Sequence, residues 1–348
     1  MADLLEETGI PIHWTRPGPA LESDVLDVHD SSYVDTVKAA SKDHLHSAWA
    51  RYGLGTADVP VFHDMHDATC AVCGGSLAAG RRLLEGANFP ILQLGGGLHH
   101  AMPARAAGFC VYNDVAMLIR LLRRNGMRVA YVDIDVHHAD GVQAIFYRDP
   151  NVLTVSMHQS GQYLYPGTGS VDELGSGEAV GTAVNVPLHP GTGDASYLEC
   201  FDAVVPPTLT RFSPDVLVVE VGADAHYLDP LANLNLTTFA YRDLFDRLVG
   251  LSKDLSGGRM VVTLGGGYNF DSTIRIWTIL AYRLADLPPP EQLPPSWVYR
   301  WESRLKGSAG PSLHDQESTG QLQDLRSVAA EVNARTVESL IDTLNQLA

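Results

Sequence analysis

Acidic and imidazole side chains are concentrated at the end of one apolar run of this chain. Val129 to Val136 is apolar apart from Tyr131 and two aspartates, which is typical of a buried central strand in a parallel sheet. Buried aspartates are rare unless they are paired or bind a metal. Asp135 and His137 are two residues apart and point to the same side of an extended chain. One carboxylate and one imidazole on one side predict half of a tetrahedral metal shell.

A third metal ligand is available in the turn Gly222-Ala223-Asp224, which follows another strand-like run. In an open α/β sheet, ligands bind beyond the carboxyl ends of the strands, so Asp224 should lie near Asp135 and His137. Together the three predict a site with one open position, as catalytic zinc requires. Taken alone, Asp224 is also typical of a turn or a helix N-cap.

Two adjacent histidines and one tyrosine follow glycine runs elsewhere in the chain. Near a metal, His99 and His100 would supply one general base and one electrostatic partner. Asp133 and Asp140 are the acids left over, and each can accept the other ring N–H of one histidine. The Tyr268 phenol can donate to a developing oxyanion. Without this context, the histidine pair is as typical of a surface and the tyrosine of a packed aromatic.

The elements that must position these side chains alternate between strand-like and helical patterns. This alternation predicts an α/β fold, a parallel sheet flanked by helices, with its polar and glycine-rich turns at one edge. The strand-like runs are Ile91–Leu94, Val129–Val136, Val152–Met157, Ala183–Pro187, Asp215–Val221 and Arg259–Leu264. The helical patterns are Ala68–Leu84, Asn113–Arg124, Tyr197–Arg211, Ala240–Leu255 and Ser272–Leu284.

The composition changes at Asp286, where a proline-rich connector begins. The stretch Gly307–Gly320 is mostly polar and is predicted to be loose, whereas Leu322–Leu347 has helical periodicity. The sequence therefore predicts a catalytic domain over residues 1–285 and a connector with a C-terminal helical extension over residues 286–348.

Charge and cysteine content exclude several classes of protein. The formal net charge of −17 argues against direct nucleic-acid binding and suits a cationic substrate or partner. Apolar runs are too short for a membrane helix, and Met1–Glu7 is acidic rather than signal-like, so a cytoplasmic location is expected. Cys70 and Cys73 lack the second pair of a zinc knuckle and are interpreted as packed thiols.

Six motifs, in order, resemble the histone deacetylase superfamily, and in particular bacterial acetoin-utilisation-type deacetylases. They are Leu94–Ala101, Ala107–Asp114, Asp133–Gly141, Pro166–Gly169, Gly222–Asp224 and Leu264–Asn269. The resemblance covers roughly Leu4 to Ala285. It implies the arginase–deacetylase fold, a single α/β domain with a parallel sheet of about eight strands. The family's first strand is expected to be missing here.

The resemblance also implies a role for each candidate site residue. The metal ligands are Asp135, His137 and Asp224, and the metal is zinc or, alternatively, iron(II). The catalytic residues are His100 as general base and acid with Asp140, His99 with Asp133, and Tyr268. The substrate-binding residues are the tunnel positions Gly108, Phe109, Tyr165 and Leu231 and the rim residue Asp58. A structural potassium ion would use Asp133, Asp135, His137 and Ser156, and a second would use Phe146, Asp149 and Val152.

The implied reaction is removal of acetyl or other acyl groups from the Nε amine of lysine in proteins. A metal-activated water attacks, His100 acts as the base and Tyr268 stabilises the oxyanion. Alternative substrates are small acylated amines such as acetylpolyamines, and an alternative of another class is a catalytically weak acyl-lysine binding protein. An arginase-like dimanganese site is disfavoured because Ala139 and Gly222 stand where it would need aspartates. The oligomeric state is left open.

Overall fold

Six parallel strands form one sheet at the centre of the protein. The computed structural model describes residues 1–42, 47–302, 304–305, 310–315 and 323–347. Within these residues the strands are β1 (Pro90–Gln93), β2 (Val129–Asp133), β3 (Val152–Gln159), β4 (Ala183–Leu188), β5 (Val216–Gly222) and β6 (Met260–Gly265). Their order is β1-β6-β5-β2-β3-β4, and every neighbouring pair is parallel.

The α/β prediction is confirmed, whereas the expectation of about eight strands is wrong. The described chain has six strands, and they coincide with the six apolar runs to within about three residues at each end. Elsewhere the described chain forms helices, turns and loops, so no further strand extends the sheet there.

Helices cover both faces of the sheet. They are α1 (Ala2–Glu7), α2 (Glu22–Leu26), α3 (Ser31–Ala40), α4 (Met65–Leu84), α5 (Asp114–Arg124), α6 (Asp140–Phe146), α7 (Asp194–Phe212), α8 (Thr238–Ser256), α9 (Phe270–Leu284), α10 (Pro295–Trp301) and α11 (Gln323–Gln346). Side chains of α7, α8 and α9 pack on one face with Val132 and Val219. Side chains of α3, α4 and α5 pack on the other with Val129 and Val218. Burial on both faces explains the nearly continuous apolar strands.

A row of polar side chains crosses the sheet where the apolar core ends. One residue from each strand lies in the same register: Gln93, Thr263, Glu220, Asp133, Ser156 and Asn185. Five of the six are buried. Because buried polar groups are costly without partners, this row marks the edge at which the chain builds a site.

The C-terminal residues pack on the sheet-and-helix body. Asn333 of α11 is fully buried and hydrogen-bonds to His189, Thr192 and Ser196. The predicted C-terminal helix is therefore present and anchored. Of the stretch predicted to be loose, residues 310–315 are described and Leu313 is fully buried, whereas residues 307–309 and 316–320 lie outside the described residues. In the described part of the chain, each helix is too short or too polar to cross a lipid bilayer.

Candidate active site

The three predicted metal ligands meet at the carboxyl edge of the sheet. Asp135 and His137 follow β2, and Asp224 follows the neighbouring strand β5. His137 Nδ1 lies 2.9 Å from Asp135 Oδ1 and 3.2 Å from Asp224 Oδ2. Within the described residues, these three form the one buried group of His, Cys, Asp or Glu side chains with ligand atoms within 4.8 Å of one another.

The chemistry of this group fits a divalent cation. Both carboxylates are buried, and burial together with the charge of Asp135 raises the pKa of Asp224 to about 7. Burial alone would lower the pKa of His137, but Asp135 and Asp224 outweigh it and raise it to about 11. Asp224 Oδ2 accepts no hydrogen bond, although it is buried. The two neighbouring carboxylates repel each other, and a bound metal cation can compensate their charge in place of a proton on His137 or Asp224.

His99 and His100 each bond to one of the two remaining acids, as predicted. His99 Nδ1 lies 2.8 Å from Asp133 Oδ2, and His100 Nδ1 lies 2.6 Å from Asp140 Oδ1. All four side chains are buried. Because the Asp140 carboxylate accepts a hydrogen bond from Nδ1–H, the lone pair of His100 Nε2 is free to take a proton.

The two histidines have different protonation tendencies. Burial disfavours a charged His99, but the carboxylates of Asp133 and Asp135 prevail and raise its pKa to about 10. Burial and the charge of His99 lower the pKa of His100 to about 4, against the opposing effect of Asp140. The pKa values of the two neighbouring imidazoles therefore shift in opposite directions, and their ring centroids are 4.0 Å apart.

Two residues without an assigned role hold the histidine loop in place. Asp114 begins α5 and accepts hydrogen bonds from the backbone N–H groups of Gly97 at 3.2 Å and Leu98 at 2.8 Å. Asn113 is fully buried and donates to the carbonyls of His99 and Ala101. The sequence pattern that could have indicated these contacts is the polar Asn113-Asp114 pair at the start of an apolar helix.

Tyr268 lies next to the metal ligands on the loop after β6. Its ring centroid is 6.5 Å from that of His137, and Asp229 Oδ2 accepts the Tyr268 backbone N–H at 2.7 Å. Burial raises the pKa of the Tyr268 hydroxyl above its usual range, and the charges of Asp135 and Asp224 add to this. The phenol therefore keeps its proton and remains a donor. Asp229 was not identified from the sequence.

Two of the predicted tunnel residues, Tyr165 and Phe109, pack directly against the predicted catalytic side chains. Tyr165 packs edge-on against His100, and Phe109 packs edge-on against Tyr268. Both rings are about half exposed, as is Leu231. Half-exposed aromatic rings beside these groups suit contact with the methylene chain of a long amine.

The rim residue Asp58 has a partner within the protein. Its Oδ2 accepts the backbone N–H of Gly108 at 2.8 Å. Gly108 and Phe109 both have positive φ, and Phe109 at 65° is unusual for a residue with a side chain. Asp58 therefore helps to hold the turn that presents Phe109.

Other residues singled out from the sequence lie beside the site. Ser156, a predicted potassium ligand, neighbours Asp133 in the sheet and hydrogen-bonds to His158 at 2.9 Å. His138 bonds to Thr168 and Gln143 rather than to a predicted metal ligand. Glu220, which sequence reasoning missed, is fully buried next to Asp133 in the register and accepts from Thr263.

Comparison with known proteins agrees with this geometry. The model of the histone deacetylase domain matches residues 1–284. The chain belongs to the histone deacetylase family. It is 36% identical over 328 residues to the acetoin utilization protein AcuC of Bacillus subtilis, covering 93% of this chain and 85% of that protein. It is also 36% identical over 296 residues to AcuC of Staphylococcus aureus (strain MSSA476), covering 84% of this chain and 76% of the relative.

Solved structures of histone deacetylase homologues share the fold. A homologue from Aquifex aeolicus superimposes with a TM-score of 0.84 at 26% identity, covering 95% of this chain and 91% of that one. The same values hold for a homologue described as complexed with SAHA. The fold and the family are thus those implied by the six sequence motifs.

Proposed function

We propose that this histone deacetylase-family hydrolase removes acetyl groups from the Nε amine of lysine side chains in proteins. One observation carries the proposal: the three possible metal ligands, the His100–Asp140 pair and Tyr268 lie together, with the Tyr165 ring packed against His100. These parts would supply carbonyl polarisation, proton transfer and an oxyanion donor, which together suit hydrolysis of an unactivated amide.

Asp135, His137 and Asp224 would hold the metal, zinc or alternatively iron(II). Such an ion polarises a carbonyl and lowers the pKa of water towards about 7. We also propose structural potassium at Asp133, Asp135, His137 and Ser156, and at Phe146, Asp149 and Val152.

His100 is the proton carrier. Its Nδ1 is engaged by Asp140 at 2.6 Å, so Nε2 faces the reaction as an acceptor. Nε2 takes a proton from the attacking water and returns it to the leaving amine. His99 Nδ1 bonds to Asp133 at 2.8 Å, and His99 would act as the electrostatic partner of His100.

Tyr268 is the oxyanion donor. Burial keeps its hydroxyl protonated, and the Asp229 contact to its backbone N–H fixes the loop that carries it. A preorganised donor of this kind typically contributes about a hundred- to a thousandfold in rate.

The proposed substrate class rests on the exposed aromatic rings and on the net charge. Phe109 and Tyr165 suit a methylene chain, and the net charge of −17 favours a cationic peptide or product. A small acylated amine such as an acetylpolyamine has the same chain and charge, so it is the alternative. Comparing kcat/KM for acetyl-lysine peptides and acetylpolyamines distinguishes them, and a higher value for the polyamines would contradict a protein substrate.

The catalytic assignment is tested with Tyr268→Phe in metal-loaded protein. We expect kcat to fall by about a hundred- to a thousandfold while metal content is unchanged. Tyr163→Phe is the matched control, because Tyr163 is exposed and packs against His189 rather than the metal ligands. If Tyr268→Phe turned over at the wild-type rate, the proposed role of Tyr268 would be wrong.

A further inference from the structure

Asp315 joins the C-terminal connector to the catalytic body. It lies beyond residues 1–284, which the family model matches, yet it is 7% exposed. Its Oδ2 accepts from His226 Nε2 at 3.0 Å and from the backbone N–H of Thr238 at 2.7 Å. Its own N–H donates to Thr238 Oγ1 at 2.9 Å. A carboxylate at the first residue of α8 also interacts favourably with the helix dipole.

Asp315 determines which nitrogen of His226 carries the proton. His226 comes two residues after Asp224, and its Nδ1 accepts the backbone N–H of Leu228 at 3.2 Å. Since Nδ1 is an acceptor, the ring proton is on Nε2 and is donated to Asp315. With no acceptor at position 315, His226 would lose the partner that orients its ring.

The segment from residue 224 to residue 229 connects this histidine to Tyr268. The Leu228 carbonyl accepts from Asn269 Nδ2 at 3.2 Å, and Asp229 Oδ2 accepts the Tyr268 N–H at 2.7 Å. One short segment therefore carries a metal ligand at its start, His226 in its middle and the anchor of the Tyr268 loop at its end.

We propose that Asp315 is a positioning residue for the active site, acting through His226 on both Asp224 and Tyr268. The catalytic consequence rests on the proposed function, whereas the mechanical coupling does not. The C-terminal connector would then contribute a residue that positions the active site.

The test compares Asp315→Ala, Asp315→Asn and Asn333→Ala. Asn333 is a fitting control because it is also C-terminal, buried and hydrogen-bonded, but to His189, Thr192 and Ser196 rather than to His226 or Thr238. The measurements are amide hydrogen exchange of peptides covering residues 222–231 and 265–270, the zinc dissociation constant by chelator competition, and kcat with KM.

We expect Asp315→Ala to speed exchange in both peptides, to weaken zinc binding by about tenfold and to lower kcat more than it raises KM. Asp315→Asn should recover most of each change, because an amide oxygen can accept from both donors. Asn333→Ala should lower the melting temperature without these three effects.

Unchanged exchange and zinc binding in folded Asp315→Ala would overturn the inference, as would equal damage by Asp315→Asn. Should Asp315→Ala fail to fold, His226→Gln replaces it: Gln keeps a donor for Asp315 but lacks the Nδ1 acceptor, so exchange must rise in the peptide containing Leu228. If wild-type protein hydrolysed no acetylated amine, the proposed function would fail, while exchange and zinc binding would still decide the role of Asp315.

Discussion

Gly266→Ala should disrupt the metal site without changing any ligand. Gly266 lies in the loop after β6 with φ of 53°, and a Cβ there would lie 2.5 Å from Asp224 Oδ2 and closer still to Asp135 Oδ2. Ordinary contact begins at 3.4 Å, so Asp224 Oδ2 would have to move by about 0.9 Å. Metal–ligand distances tolerate changes of only about 0.2 Å. The displacement is several times larger than this tolerance.

Two effects of the substitution must be separated. Alanine at positive φ costs roughly 1–2 kcal/mol of backbone energy wherever it occurs. Gly257→Ala measures this cost alone, because Gly257 has φ of 60° and no atom within 4 Å of its added Cβ. Both variants should therefore lose similar free energy from the backbone, and only Gly266→Ala should weaken the metal site, by about a hundredfold or more.

The assay is zinc affinity by chelator competition, with metal content and the free energy of unfolding measured on the same samples. We expect Gly257→Ala to bind zinc with wild-type affinity. Wild-type zinc affinity in Gly266→Ala would refute the assignment of Asp135 and Asp224 as ligands, because their carboxylates cannot keep this geometry beside a Cβ.

Three further predictions concern the supports of the site. Asp114→Ala removes the acceptor of two backbone N–H groups in the histidine loop, so unfolding in urea should show a loss of about 3 kcal/mol and kcat should fall; an unchanged kcat would contradict this role. His29 is buried between Met102 and Asn113, and burial lowers its pKa to about 4. The contribution of His29 to the free energy of unfolding is then fully present above pH 6.5. Between pH 6.5 and pH 4 it falls by about 1.4 kcal/mol per pH unit, because in this range only the unfolded chain protonates this histidine. His29→Gln should reduce that slope, and equal slopes would show that His29 does not cause it. Chelation should lower the melting temperature and added zinc should restore it, whereas a chelator-insensitive melting temperature would argue against a bound metal in the folded state.

Local patterns predicted most of the fold. Each strand is a short apolar run, and such runs indicate parallel strands covered by helices, so the strands could be located from the sequence alone. The pairing of Asp135 with His137 was predicted from an extended chain, whereas β2 ends at Asp133 and both residues lie in a bend, 2.9 Å apart from Asp135 Oδ1 to His137 Nδ1. The number of strands was predicted wrongly because it came from the family's sheet and not from the runs themselves.

Long-range partners were not predictable in this way. Asp229 and Asp315 act on Tyr268 and His226, which are 39 and 89 residues away in the chain. Glu220 lies within an apolar run, and only the register of β5 with β2 places it beside Asp133. Each of these acids has the same local sequence features as an ordinary turn or strand residue, so only the packed structure assigns its contacts.

The packing around two small residues leaves no room for the extra aspartates that a dimanganese site would need. A Cβ at Gly222 would lie 2.6 Å from Asp135 Cα, so an aspartate there would displace a ligand of the first metal before it could bind a second. Ala139 is buried in the apolar cluster with Val142 and Phe146. A carboxylate at that position would enter this cluster uncompensated, which is costly. The two positions where a dimanganese site would need acids are therefore closed for separate reasons, one by contact with Asp135 and the other by its apolar surroundings.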